Sequence, residues 1–235
     1  MKSIIIGAGK YGEVYLSYLR ESGVDVIGFI DDDDAVQSKL FGGLPVLGKT
    51  DTLPILKEKF GVEAVYCPLG NNRVRVKFLQ QAKELGYNTP NYIHPSVILS
   101  PDIKMGEGIY ILLGSDIMPY TVIEDYVMIS MNVNVAHHNI LRKGTFLSTG
   151  CNFGASIVAE EYTYCGIGST IMTGLHRLGK DCLIGAGAVV IKDVPDGAVV
   201  AGVPAKVIKY KPEYNTLINS VLGGGKYLIN SSLAA

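Results

Sequence analysis

The sequence is poor in charge, and the little charge it has is balanced. Charged residues make up 18% of the 235-residue chain, against about 25% in a typical soluble protein. Its 21 basic side chains offset 22 acidic ones, which leaves a net charge of −1. This balance gives no electrostatic reason to expect nucleic acid or an anionic membrane as a partner. The 28 glycines, combined with so little charge, disfavour disorder and indicate a tightly turning, β-rich protein.

Long apolar runs and closely spaced cysteines are also missing. No apolar run approaches the roughly 18 residues needed to span a bilayer. The apolar stretch within residues 1–7 is too short for a secretion signal, so we expect a cytoplasmic protein. The four cysteines show no close CxxC-type spacing, which predicts buried thiols rather than disulfides or a metal site. They are Cys67, Cys151, Cys165 and Cys182.

A six-residue repeat dominates the second half of the chain. Apolar residues recur at every sixth position from Ile93 to Ile171 without a polar one, and after a slip of one residue the pattern resumes at Leu178. A small residue follows four positions after each of them, with Asn139 as the exception. This period fits neither an α-helix nor a strand meander. It predicts a solenoid over residues 93–195, in which three hexads form one triangular coil and coils stack about 4.8 Å apart.

The first ninety residues follow the order of a βαβ nucleotide-binding unit. We predict a strand over residues 3–6, a GxGxxG turn over 7–12, a helix to about residue 22, and a second strand over 24–30 that ends in four aspartates. A third strand over 64–67 precedes Gly70-Asn71-Asn72 and another helix. Only one half of a dinucleotide fold fits before the repeat, which favours a mononucleotide as ligand. Glycines that merely permit tight packing are the alternative.

These two parts, followed by Gly202-Val203-Pro204-Ala205-Lys206, resemble a known family. The repeat is similar to that of the hexapeptide-repeat acyltransferases. Joined to the short glycine-rich domain, it resembles the sialic-acid O-acetyltransferase and UDP-4-amino-sugar N-acetyltransferase family of surface-glycan pathways. The resemblance implies an α/β Rossmann-like βαβαβ domain over residues 1–92, a left-handed parallel β-helix over 93–209 and a C-terminal tail over 210–235. It further implies acetyl-CoA as co-substrate, no metal, and a homotrimer with active sites between subunits.

The resemblance also assigns binding positions to this sequence. The nucleotide-linked sugar would be held by the glycine turn, the first two aspartates and the glycine of the third turn. Acetyl-CoA would run along the coils. The substrate positions are Gly9, Lys10, Tyr11, Asp31, Asp32 and Gly70, and the acetyl-CoA positions are Phe146, Ala155, Ile167 and Ala186.

A histidine pair is the candidate for the chemistry, because acyl transfer to an amine needs a base near neutral pH. His137 and His138 share their hexad with Asn139, the residue that departs from the repeat rule. In the family the base is followed by Asp or Glu, so His137 matches the base and His138 does not match the carboxylate. Phe146 stands where the family has a second histidine. The resemblance implies direct N-acetylation of a UDP- or TDP-linked 4-amino-deoxy sugar, with His137 as the base. Sugar O-acetylation and a catalytically decayed nucleotide-sugar-binding protein are the alternatives.

Overall fold

The computed structural model describes residues 1–214. The remainder of the predicted tail, residues 215–235 with its three consecutive glycines, lies outside the described residues. The chain begins with an α/β unit and continues as a solenoid of short strands.

The α/β unit is built on three parallel strands in the order β2-β1-β5. In chain order its elements are β1 (Lys2–Ile6), α1 (Lys10–Glu21), β2 (Asp25–Ile30), β3 (Leu40–Phe41), β4 (Leu44–Pro45), α2 (Leu53–Phe60), β5 (Ala64–Tyr66) and α3 (Asn72–Glu84). The sequence predicted the three sheet strands and α1 and α3. It did not predict α2 or the β3–β4 hairpin, whose turn is made by Gly42 and Gly43 at positive φ.

Local sequence explains where the two long helices begin. Gly12 lies in the first turn of α1, and a Cβ at this position would meet the carbonyl oxygen of Gly7 at 2.1 Å, so the turn and the helix pack this closely only with glycine. At the start of α3, the Asn71 side chain accepts a hydrogen bond from the Val74 N–H at 3.2 Å and acts as N-cap.

The solenoid has three faces of two-residue parallel strands, and corresponding strands lie 18 residues apart until one extra residue enters between Ile171 and Leu178. Apart from the exposed Met105, the second residue of each strand on the three faces belongs to or packs against one continuous apolar core inside the prism. Face one comprises Tyr92–Ile93, Tyr110–Ile111, Met128–Ile129, Phe146–Leu147, Tyr164–Cys165 and Leu183–Ile184. Face two comprises Ile98–Leu99, Asp116–Ile117, Asn134–Val135, Asn152–Phe153, Thr170–Ile171 and Val189–Val190. Face three comprises Lys104–Met105, Val122–Ile123, Ile140–Leu141, Val158–Ala159 and Arg177–Leu178.

An antiparallel pair of strands, Ala198–Ala201 and Lys206–Tyr210, closes the last coil on face one. Three of the four cysteines lie in the solenoid core, and all four are free and buried, as predicted. No helix within residues 1–214 is long and apolar enough to cross a membrane.

Face one carries the α/β unit. The first residue of each of its strands points outward, and Tyr92, Tyr110, Met128 and Phe146 are buried in a cluster that includes side chains of α1 and the sheet. On face two the equivalent outward residues, such as Asn134 and Asn152, are exposed. Face one is therefore an apolar outer face, and the α/β unit covers it.

Arg75 fixes this junction from α3. Its side chain is fully buried, and its guanidinium donates to the backbone carbonyls of Leu69 at 2.8 Å, Gly144 at 3.0 Å and Tyr126 at 3.3 Å. Burial lowers the pKa of Arg75 to about 10. One side chain thus ties the turn before Gly70 to two successive coils.

Candidate functional site

The carboxyl ends of the three parallel strands meet at the glycine turn, where sheets of this kind bind ligands. The Asp31 carboxylate, which follows β2, accepts hydrogen bonds from the Ala8 N–H at 2.7 Å and from the Asp33 N–H at 2.9 Å. Gly9 is exposed at the N-cap of α1, and a Cβ built on it would have no atom within 4 Å. The turn is therefore shaped by Asp31 and open to a ligand at Gly9.

Of the two predicted aspartates, only Asp31 contacts the glycine turn. Asp32 turns away and accepts hydrogen bonds from the backbone N–H of Thr50 at 2.8 Å and from its hydroxyl at 2.7 Å. Lys10 is exposed at the start of α1, and Gly70 is exposed after β5. The structure thus brings Gly9, Asp31 and Gly70 to the same edge of the sheet.

Tyr11 extends this edge to the solenoid. It packs against the cluster that includes Tyr110 and Met128 of face one, and burial raises the pKa of its phenol. Ser130 lies in the corner between faces one and two, where its hydroxyl is 3.0 Å from the hydroxyl of Thr149 in the next coil. The junction between the α/β unit and this corner, called the cleft below, therefore carries the hydroxyl groups of Ser130 and Thr149.

Phe146 lies beside this cleft, apart from the other three predicted acetyl-CoA positions. Its ring is edge-on to Tyr164 with centroids 5.1 Å apart, and the Arg75 guanidinium lies 5.7 Å from its centroid. A Cβ on Gly70 would approach the ring to 3.9 Å. The residue therefore packs between the third turn and the solenoid. The six-residue repeat alone did not indicate this position of Phe146. The signal that could have found it is the row of large residues at every eighteenth position from Tyr92, which point outward on face one.

The remaining predicted acetyl-CoA positions lie on two different corners of the prism. Ile167 and Ala186 are exposed in successive coils between faces one and two, where the Gly187 N–H donates to the Ile167 carbonyl at 2.8 Å. Ala155 lies between faces two and three, one coil above His137. These two corners are on different edges of the same solenoid.

The histidine pair lies in the corner between faces two and three, opposite face one. Both side chains are exposed, and their Nδ1 atoms are 3.0 Å apart with the ring planes perpendicular. The Tyr120 ring lies against His138 with centroids 4.8 Å apart. Within residues 1–214, no carboxylate forms a hydrogen bond or ion pair with either ring. Glu124 instead pairs with Arg142 at 3.1 Å, in the corner between faces three and one.

Asn139 has a structural role in the same corner. Its buried amide donates to the carbonyls of Ala136 at 2.6 Å and Gly154 at 2.8 Å, and its Oδ1 accepts from the Ile157 N–H at 2.8 Å. Ser115 uses its hydroxyl in the same way, donating to a carbonyl 15 residues ahead and accepting from an N–H 18 residues ahead. The hydrogen bonds from Asn139 to the backbone therefore explain why this hexad departs from the repeat.

The other two histidines lie in other loops. Nδ1 of His94 is 2.9 Å from the Ser96 hydroxyl. The backbone N–H of His176 donates to Asp193 in the corner with the inserted residue. No cluster of three or more His, Cys, Asp or Glu side chains that could hold a metal occurs in the described part of the chain.

Comparison with known proteins agrees with both halves of this arrangement. Residues 2–82 match the family described as PglD N-terminal domain. A histidine-to-alanine mutant of GDP-perosamine N-acetyl transferase from Caulobacter crescentus, solved with CoA and GDP-perosamine, superposes with a TM-score of 0.84. It is 31% identical, over 89% of this chain and 97% of that chain. The acetyltransferase domain of PglB from Neisseria gonorrhoeae, solved with acetyl coenzyme A, has a TM-score of 0.79 and 30% identity over 88% and 98% of the two chains.

Among curated relatives, 2,3,4,5-tetrahydropyridine-2,6-dicarboxylate N-acetyltransferase from Staphylococcus aureus is 47% identical over 57 residues. This match spans 24% of the chain and 23% of that enzyme, about a quarter of each.

The chain belongs to the hexapeptide-repeat sugar acetyltransferases, a family of acetyl-CoA-dependent enzymes. Its predicted fold class, an α/β domain followed by a left-handed parallel β-helix, is confirmed.

Proposed function

We propose that this protein transfers the acetyl group of acetyl-CoA to the amino group of a nucleotide-linked 4-amino-deoxy sugar. The observation that carries this proposal is the full-length likeness to the perosamine enzyme, at 31% identity over 97% of that chain. The sequence resemblance favours UDP or TDP as the nucleotide, and the guanosine nucleotide bound to that relative adds GDP to the candidates. Supply of acetylated sugars for surface polysaccharides is the corresponding biological role.

The nucleotide would bind at the edge of the parallel sheet. Gly9 leaves open space at the N-terminus of the 12-residue helix α1, where backbone N–H groups and the helix dipole favour a diphosphate. Lys10 is exposed beside it, and Tyr11 leads from this edge toward the solenoid corner, so the sugar would extend in that direction. Asp31 would act by shaping the turn, and Gly70 would border the opposite side of the ligand.

His137 would act as the general base. It would take a proton from the substrate nitrogen as that nitrogen attacks the acetyl carbonyl carbon, without an acyl-enzyme. Backbone N–H groups of the coil wall would stabilise the oxyanion. Its imidazole is exposed at a corner where a substrate can reach it.

The base and the cleft lie at different corners of one prism, so a single copy does not complete this site. The cleft opens beside face one, and His137 lies between faces two and three. Ile167 and Ala186 are on the cleft's corner, whereas Ala155 is on the corner of the base. A homotrimer would bring the corner of one copy against the cleft of the next, with acetyl-CoA between them.

Two observations favour a second candidate, a nucleotide-sugar-binding protein that has lost catalysis. No carboxylate supports His137 within residues 1–214, and Phe146 replaces the second histidine of the family pattern. Transfer to a sugar hydroxyl is the alternative within catalysis.

The test is a free-thiol assay of CoA release from acetyl-CoA with UDP-, TDP- and GDP-linked 4-amino sugars. Each sugar is run with the parent and with His137→Ala. We expect release that requires one sugar and falls by about a hundredfold or more in the variant, with mass spectrometry placing the acetyl group on nitrogen. Turnover of the variant within a few-fold of the parent would remove His137 as base. Sugar binding without release or acetyl-CoA binding would favour the non-catalytic candidate.

A further inference from the structure

The histidine pair is a hydrogen-bonded dyad. The Nδ1 atoms of His137 and His138 are 3.0 Å apart, so one of them carries a proton and the other accepts it. The rings are perpendicular.

The backbone holds His138 in place for this contact. His138 has φ of +57°, and its N–H donates to the Pro119 carbonyl of the coil below at 3.2 Å. Tyr120, one coil below, has the same left-handed conformation and packs against the His138 ring. The ring position of His138 is therefore set by the neighbouring coil as well as by its own corner.

Only one of the two proton arrangements suits a base at His137. If Nδ1 of His137 donates, its Nε2 carries a free lone pair and can accept a proton from the substrate. If Nδ1 of His138 donates instead, Nε2 of His137 carries a hydrogen and cannot act as a base. The partner of a catalytic histidine commonly decides between these tautomers.

We propose that His138 is a positioning residue, whose neutral Nδ1 accepts the Nδ1 proton of His137 and keeps Nε2 of His137 ready as the base. This rests on the proposed function and deepens it. During transfer the nitrogen–carbon bond forms, the carbon–sulfur bond of the thioester breaks, and the substrate proton moves to Nε2 of His137. The imidazolium then donates a charge-assisted bond to His138, and its Nε2 proton passes to the departing CoA thiolate.

Among the groups around the pair, His138 is the one available to accept the Nδ1 proton of His137. Tyr120 contributes an aromatic ring, Pro119 and Ser156 contribute backbone contacts, and the Asn139 amide is committed to carbonyls and an N–H of the backbone. Across the part of the chain that the structure describes, no Asp, Glu, Lys or Arg side chain bonds either imidazole. The neutral acceptor therefore stands where the family carries a carboxylate.

Three substitutions of His138 separate its role as a hydrogen-bond acceptor from its role in packing. His138→Asn and His138→Asp put an oxygen where Nδ1 lies, and His138→Phe keeps a ring without an acceptor. All three suit the backbone, because Asn132, Asp181 and Tyr120 adopt the same left-handed conformation at other corners.

We expect His138→Phe to lower kcat by about tenfold or more with both KM values within about twofold. The Asn and Asp variants should retain kcat within about threefold of the parent or exceed it. A kcat for His138→Phe within twofold of the parent would overturn the proposal, as would equal losses in His138→Asn and His138→Phe.

A second measurement needs no substrate and therefore separates this proposal from the proposed function. Two-bond proton–nitrogen NMR of ¹⁵N-histidine protein reports which ring nitrogen carries hydrogen in each of the four histidines. At mildly alkaline pH we expect His137 with hydrogen on Nδ1 in the parent and on Nε2 in His138→Phe, with His137→Ala providing the assignment. Hydrogen on Nε2 of His137 in the parent would refute the dyad, whatever the activity.

Discussion

Replacing Asn139 by alanine should destabilise the corner that carries the histidine pair. The substitution leaves the Gly154 carbonyl and the Ile157 N–H without their buried partner, whereas the Ala136 carbonyl keeps a bond from the Thr121 hydroxyl at 3.2 Å. Each orphaned buried group costs about 1–3 kcal/mol. We therefore expect a loss of about 2–6 kcal/mol in the free energy of unfolding.

Asn139→Thr is the matched control. A threonine hydroxyl can donate to the Gly154 carbonyl, as Thr121 does to Ala136 one coil below, and can accept from Ile157, as the Ser115 hydroxyl accepts from Val133. It should cost about 1 kcal/mol. Denaturant unfolding followed by circular dichroism gives the global effect, and amide exchange of Ile157 gives the local one.

The reasoning would be refuted by a particular combination of results. If Asn139→Ala unfolds within about 0.5 kcal/mol of the parent, a difference typical of neutral surface changes, the buried amide does not hold the coils together. If the same variant also loses turnover, the residue serves the chemistry instead.

The remaining predictions concern the glycine turn and the buried thiols. Gly9→Ala should leave Tm unchanged, because its Cβ meets no atom within 4 Å, yet weaken nucleotide-sugar binding in calorimetry by about tenfold if a diphosphate approaches the turn. Gly12→Ala should lower Tm sharply, since its Cβ would lie 2.1 Å from a carbonyl oxygen, and equal Tm values would contradict this. Burial raises the pKa of Cys67 and of Cys182 to about 12, so their contribution to stability is complete below the ordinary thiol pKa of about 8.5 and is lost as pH rises toward 12. In alkaline solution each thiol should make the free energy of unfolding fall by at most about 1.4 kcal/mol per pH unit. If Cys182→Ala leaves that slope unchanged, burial of the Cys182 thiol is not its cause.

Reading in six-residue steps was enough to predict the solenoid, because each hexad depends on its nearest neighbours. The apolar residues at every sixth position from Ile93 to Ile171 pack in the prism core, apart from the exposed Met105. The slip before Leu178 is the inserted residue seen in the strand pairing. The parallel strands of the α/β unit were equally readable, since Gly12 and the strand-ending Asp31 mark local turns. The β3–β4 hairpin was missed although its glycine pair is a recognised turn signal.

Contacts between distant segments were decided only by the tertiary structure. Face one binds the α/β unit because its outward residues, Tyr110 and Phe146 among them, are apolar every 18 residues, a spacing that has meaning only after the coils are stacked. The same stacking turns Asn139 into a link between coils and sets His138 against Tyr120. The sequence determined the class of each element through local periodicity. Side-chain partners were set by the packing of residues that are remote in sequence. A hydrogen bond needs both its donor and its acceptor in place, and a face is buried only when a second surface packs against it.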